Sequence, residues 1–314
     1  MAGSSTEAIV PLVEGEILVK FADDGGRLSA NATSIIVDLP DPVGALLLVD
    51  RREDQDTPPF QGNKNDVFYS SEFDGLTLDG DDDIDSVTDI DSLPTFDTLG
   101  NILSAGTYSF LDTLDLGDVF SLDLNRYFIT RGYFPSDLVD SRNENVDKWT
   151  DWDGATVDQV NATLQLRRTD DDPAGSPTWT AWQSFVNGTF KARAFQFRTQ
   201  LTSADTAQNI LVDELGYQAR LQRRTEQPTA AVTSSAGATA VTFTDEFFTG
   251  TATLGGTNAY LPSIGITAQN MQNGDYFTLS GVSDTGFTVT FFDSTDTAVS
   301  RSFWWQAVGY GKQG

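Results

Sequence analysis

The chain contains no cysteine and no histidine, and only 19 of its 314 residues are lysine or arginine, against 46 aspartates and glutamates. Without cysteine there can be no disulfide, no thiolate metal site and no thiol nucleophile. Without histidine there is no Ser-His-Asp triad, no Cys-His dyad, no His-ligated zinc and no imidazole proton shuttle. A nuclease, ATPase or hydrolase that depends on either residue is therefore excluded, which leaves carboxylate pairs and carboxylate-bound divalent ions. The formal charge of −27 repels phosphate backbones and anionic lipid surfaces, so nucleic acid is not an expected partner. No apolar run reaches the about 18 residues of a spanning helix, so no membrane span is expected. Residues Met1 to Glu7 lack the basic and apolar regions of a signal peptide. Scarce basic residues do not mean disorder here, because 39% hydrophobic and 11% aromatic residues are enough to build a core.

What is present reads as β-structure. Val, Ile, Phe, Tyr and Thr gather in short runs broken by Gly, Asp, Asn and Pro, the pattern of sandwiches and barrels. The expected fold is all-β, a set of β-sandwiches in three units: a β attachment domain over 1–65, a jelly-roll sandwich over 66–227 and a small β domain over 228–314. Strands are expected at Glu16–Phe21, Ser34–Leu39 and Ala45–Val49, with polar Arg51–Asn65 as a linker or long loop. Residues 65–125 contain 15 acids and no basic residue, while residues 126–225 hold 12 of the 19 basic residues. Pairing those two stretches in one unit avoids gathering like charges. In Asp115–Leu124, alternation puts Phe120, Leu122 and Leu124 on one face and Val119, Ser121 and Asp123 on the other. A second small polar stretch, Gln227–Thr239, marks the next linker. Beyond it, Phe287–Phe292 and Val299–Ala307 flank Asp293-Ser294-Thr295-Asp296 and are expected to pair as a hairpin.

Four constellations could carry chemistry. In Asp79-Gly80-Asp81-Asp82-Asp83-Ile84-Asp85, the carboxylates Asp79, Asp81, Asp83 and Asp85 are candidate calcium ligands, since Ca²⁺ takes several hard oxygens. The EF-hand register fails, because Ile84 and Ile90 stand where Gly and Glu are needed, and a solvated acidic turn is the plainer reading. Adjacent acids such as Asp213-Glu214 and Asp245-Glu246 point to opposite faces of a strand, so no catalytic pair stands out. The sequons at Asn161 and Asn187 are common chance matches. The tryptophans Trp149, Trp152, Trp179, Trp182, Trp304 and Trp305 are either core or contact residues. Neighbours on a strand face opposite ways, so Trp304 and Trp305 cannot share one core, nor can Phe291 and Phe292. The last unit has too many rings for one small sandwich. These four are therefore the expected interface or receptor-contact residues, unless the excess packs on the chain's own middle unit.

Two stretches carry a resemblance. Leu166 to Phe185, with its Asp170-Asp171-Asp172-Pro173 turn and Trp179 and Trp182, continues to Ala192-Arg193-Ala194-Phe195-Gln196-Phe197-Arg198. It resembles a segment recurrent in tail-tip, host-specificity-type and fibre proteins of tailed bacteriophages. Phe287–Phe292 through Ser302–Gly311 resembles the closing hairpin of phage fibre and virion structural proteins. Asp115-Leu116-Gly117, the Ala-Arg-x-Phe-x-Phe strand and Ile210–Tyr217 are similar to the galactose-binding-like, discoidin-type jelly roll, without its usual paired cysteines.

The resemblance implies a non-enzymatic structural virion protein of the tail tip or a tail fibre, assembled in the host cytoplasm without a resident cofactor. Its implied partners are other virion proteins, a host-surface glycan or protein, and copies of itself, with a trimer favoured. The alternatives are a capsid decoration or head-fibre protein and a carboxylate-dependent polysaccharide depolymerase.

Overall fold

The computed structural model describes residues 15–19, 33–37, 44–80, 102–134 and 157–311, the first two segments as backbone alone. All regular structure among them is β, and none contains a helix long and apolar enough to cross a membrane. Strands β1 (Gly15–Val19) and β2 (Thr33–Val37) form an antiparallel pair of their own.

The largest sheet has ten strands. They are β3 (Leu46–Arg52), β4 (Asn63–Asn65), β5 (Val67–Ser70), β6 (Gly75–Leu78), β7 (Ala105–Ser109), β8 (Leu114–Tyr133), β9 (Val160–Thr169), β10 (Gln183–Ser184), β11 (Gly188–Ser203) and β12 (Asn209–Leu221). Their order is β10-β9-β11-β8-β12-β6-β5, with β3 on β12, β7 on β11 and β4 on β7. The sheet is jelly-roll-like and curls nearly shut into a barrel. The long strand β8 allows this: its first half pairs with β11 and its second half with β12. Register shifts opposite Arg193 and Asp213 bend those pairings, as bulges do. The expected alternation holds, with Phe120, Leu122 and Leu124 buried among Leu164, Leu166, Phe195, Phe197, Leu215 and Tyr217.

Two expectations need correction here. The boundary at residue 65 falls inside this sheet, because β3 pairs with β12 and β4 with β7. The polar stretch read as a linker or long loop is a packed turn that delivers Phe60 and Glu53, each 1% exposed, into the barrel. Its composition misleads because most of its polar residues face outward and only these two side chains are fully enclosed. Gly216 lets β3 come this close, since a Cβ there would lie 2.1 Å from the Arg51 carbonyl oxygen. Gly216→Ala should push β3 off β12 and cost about 1–3 kcal/mol, as overpacking does. A denaturant midpoint unchanged from the native protein would contradict that placement of β3.

The remaining strands form a two-sheet sandwich: β13 (Arg223–Glu226), β14 (Val232–Thr233), β15 (Thr239–Thr242), β16 (Ser263–Gln269), β17 (Tyr276–Ser280), β18 (Gly286–Phe292), β19 (Ala298–Val299) and β20 (Ser302–Tyr310). β13 already belongs to it, so sheet membership changes at Gln222, ahead of the expected boundary at 228. In one sheet β20 lies between β16 and the pair β13 and β14, and in the other β18 lies between β17 and the pair β15 and β19. The expected hairpin between Phe287–Phe292 and Val299–Ala307 is therefore a stub, with only Phe291 and Phe292 meeting Val299 and Ala298. The chain then crosses to the other sheet. The Ser234 hydroxyl accepts from the Arg301 amide at 2.8 Å, and the Arg301 guanidinium meets Asp275 at 2.6 Å. The reason is burial: both central strands are apolar on one face, and each covers the other, as Phe291 and Phe303 do at 5.5 Å.

The two bodies share a seam. Phe247 lies in the small core, while its neighbour Phe248 lies in the barrel core, edge-on to Phe120 at 5.6 Å. Gly311, at a φ of +84°, gives Phe120 and Phe248 the space a Cβ would take. Part of the ring excess thus packs on the chain's own middle unit.

Candidate functional site

Strand alternation on β20 sends Phe303, Trp305 and Ala307 inward and Trp304 and Gln306 outward. Trp305, 7% exposed, packs against Phe243 at 5.7 Å and Phe287 at 5.8 Å. Phe291 is wholly buried between Phe277 and Phe303. As contact residues these two are corrected: their rings fill a single-chain core and present nothing outward. Trp304 is 37% exposed, opposite Thr267 of β16. Phe292 is half-buried and stacks on Tyr276 at 5.1 Å and 18°.

The sequence reading missed the edge next to Phe292. Among the described residues β17 pairs on one side only, with β18, and all five of its residues are exposed. Tyr276, Phe277 and Leu279 are 41%, 38% and 37% exposed. A soluble edge strand is ordinarily blunted by charge, proline or a covering loop. This one carries large apolar side chains on both faces. The signal was present, since Tyr-Phe-Thr-Leu does not alternate, but a strand apolar on both faces also reads as a fully buried one.

A cavity of about 520 Å³ lies beside the seam, lined by Arg51, Glu53, Phe110, Asp112, Asp115 and Tyr217, with Leu254 from the small unit. Glu53 accepts from Arg51 Nε at 2.7 Å and from the Tyr108 hydroxyl, while Tyr108 Oη accepts from the Gly62 amide at 2.8 Å. Asp115 is held by Arg193 at 3.2 Å. Burial pushes the Tyr217 hydroxyl up, so it stays protonated, stacked on Phe197 at 4.1 Å. Two of the lining carboxylates, Glu53 and Asp115, are thus committed as acceptors.

The chain matches no family model, no curated protein and no solved structure.

The other candidates are dispersed. Asp79 is exposed and accepts from the Gly80 amide at 3.0 Å, while Asp81, Asp83 and Asp85 lie outside the described residues. Among the described residues no three acids converge as metal ligands. Asp213 pairs with Arg131 at 3.1 Å and Glu214 with Arg52 at 3.2 Å. Asp245-Glu246 lies in a loop rather than a strand, and a hydrogen bond with Asp118 across the seam raises the Glu246 carboxyl. Trp149 and Trp152 lie outside the described residues, and Trp179 and Trp182 stand in the segment between β9 and β10.

Proposed function

We propose that the chain is a non-enzymatic structural protein of a tailed-bacteriophage virion, in the tail tip or a tail fibre, serving particle assembly and host-surface attachment. The observation that carries this reading is the edge of β17, a row of apolar side chains with no second strand partner among the described residues, on a strongly acidic chain. Such an edge is an aggregation hazard in a lone subunit and an assembly surface in a symmetric one. The resemblance of Leu166–Arg198 and Phe287–Gly311 to virion proteins supplies the setting, and within it the barrel is read as a galactose-binding-like jelly roll. Gold-labelled antibody against the chain should decorate the tail tip or fibres of intact particles. Label on capsids alone, or absent from particles, would overturn the placement.

Covering β17 by copies of the chain makes a homo-oligomer the expected state, and the resemblance to phage fibres implies that it is a trimer. Native mass spectrometry should give three times the chain mass, and the double variant Phe277→Ser, Leu279→Ser should give one. A monomeric native chain with β17 still exposed would end this part of the reading.

A further inference from the structure

We propose that the outer face of β9 and β11 binds an acidic glycan, a sugar ring carrying a carboxylate or phosphate, between Arg167, Arg198, Trp179 and Trp182. The cross-strand register places Gln196 opposite Arg167 and Gln165 opposite Arg198, so the two arginines are diagonal neighbours on one face. Gln196 Oε1 accepts from Arg167 Nε at 2.9 Å and Nη2 at 2.6 Å, and Gln165 Oε1 accepts from Arg198 Nε at 2.8 Å. The Gln196 amide in turn donates to Thr113 Oγ1 at 2.9 Å, which fixes its orientation. Arg167 lies 5.0 Å from the Trp179 ring centre and 4.7 Å from that of Trp182, and Arg198 lies 4.4 Å from Trp182.

What sets this face apart is a pair of arginines that lie over tryptophan rings and have no carboxylate partner among the described residues. Arg51, Arg52, Arg131, Arg193, Arg224 and Arg301 each hold a carboxylate within 3.9 Å. Arg167 and Arg198 hold none among the described residues, on a chain with 46 acids. Burial lowers both guanidiniums, and the charge of Arg167 lowers Arg198 further. Their glutamine bonds use the Nε side of each fork, and among the described residues the Nη1 groups meet no protein acceptor. Two planar donors held in place by stacking suit bidentate capture of a carboxylate or phosphate. Trp179 and Trp182 are half-buried, and the ring surface they keep open suits stacking on the apolar face of a sugar. A densely charged polymer such as nucleic acid would meet the remaining field of a −27 chain, whereas a glycan with separated charges largely avoids it. The site rests on this geometry and not on the virion reading, so either can fail alone.

Calorimetric titration of the full chain tests it, with trigalacturonate and glucose 6-phosphate as acidic probes. Galactose, glucose, inorganic phosphate and oligothymidylate are the comparisons. At least one acidic sugar should bind, with its neutral counterpart and inorganic phosphate each at least about tenfold weaker; whichever acid binds identifies the carboxylate or the phosphate as the recognised group. Arg198→Gln should weaken binding about tenfold or more, and Arg198→Lys should also weaken it, because an ammonium keeps the charge without the fork. Arg131→Gln, which removes an ion-paired arginine elsewhere, should leave binding unchanged. Near-UV circular dichroism of the Arg198 variants checks that the tryptophans remain seated. Absence of binding by both acidic sugars, equal binding of the neutral ones, tighter binding of phosphate alone or of oligothymidylate, or an Arg198→Lys variant that is folded and unaffected would each overturn the proposal.

Discussion

Replacing Phe248 with alanine is expected to separate the unfolding of the barrel from that of the C-terminal sandwich. Phe248 is 1% exposed, and its ring stands at 88° to Phe120 of β8 and stacks on Tyr260 at 6.0 Å. Deleting a buried phenylalanine ring costs about 3–5 kcal/mol, because transfer and cavity terms add. Here the cavity would open between the two bodies. Scanning calorimetry of the native chain should show the two melting together, and Phe248→Ala should show two transitions. Phe247→Ala is the matched comparison. That ring packs edge-on to Phe243 at 5.0 Å within the small core, so its loss should lower the sandwich transition and leave the barrel near its native temperature. Equal effects of the two variants on both bodies would rule out Phe248 as the specific tie.

That adjacent phenylalanines serve two different cores shows where the sequence could be read and where it could not. Period-two alternation is local, so the inward face of β8 over Phe120–Leu124 was legible residue by residue, whereas on β11 the neighbours Ala194 and Phe195 are both buried and the alternation breaks. The separation of Trp304 from Trp305 followed from the same rule, but which of them faced the core did not, because that depends on which sheet covers β20. Strand partnership is a long-range matter. Nothing local in Leu46–Arg52 says that it pairs with β12, and the polar turn that follows hides one buried ring and one buried acid. The hairpin expected around Asp293–Asp296 failed for a similar reason. A turn signal permits a hairpin, but burying two apolar faces against each other required the strands to part.

Arg167 and Arg198 were obscured by their sequence neighbours. Arg167-Arg168 runs into Asp170-Asp171-Asp172, which looks self-neutralising. In the fold Asp172 instead meets Arg193 at 3.2 Å. The β9–β11 register then sets Arg198 beside Arg167 and, among the described residues, leaves both without an acid. Charge counted along the chain and charge counted across a sheet gave opposite answers, and only the second bears on binding.

A further loss of stability is expected on removing Glu53. Its side chain is 1% exposed and joins Arg51 of β3 to Tyr108 of β7, so it ties the turn after β3 to the barrel. Glu53→Ala would leave a guanidinium and a buried hydroxyl short of a partner. The Arg51 side chain is 30% exposed and keeps Asp56 at 2.7 Å. The main loss is therefore the acceptor of the buried Tyr108 hydroxyl, which puts the cost near the top of the about 1–3 kcal/mol of an unsatisfied buried group. Should that variant fail to fold, Tyr108→Phe gives a milder version: it strips the Gly62 amide and one Glu53 oxygen of their partner, at about 1–3 kcal/mol. The same contact sets an alkaline limit. Burial first, and the hydrogen bond to Glu53 second, push the Tyr108 hydroxyl above its ordinary value. The folded chain therefore holds this proton more tightly than the unfolded chain, which begins to lose it near about pH 10. The contribution is fully present below that pH and is lost as pH rises further, with Tyr217 adding in the same direction. Urea midpoints measured from neutral to strongly alkaline pH should therefore fall above about pH 10, and Tyr108→Phe should flatten part of that fall. A native chain whose stability is level across that range would show that Tyr108 is not held protonated against Glu53.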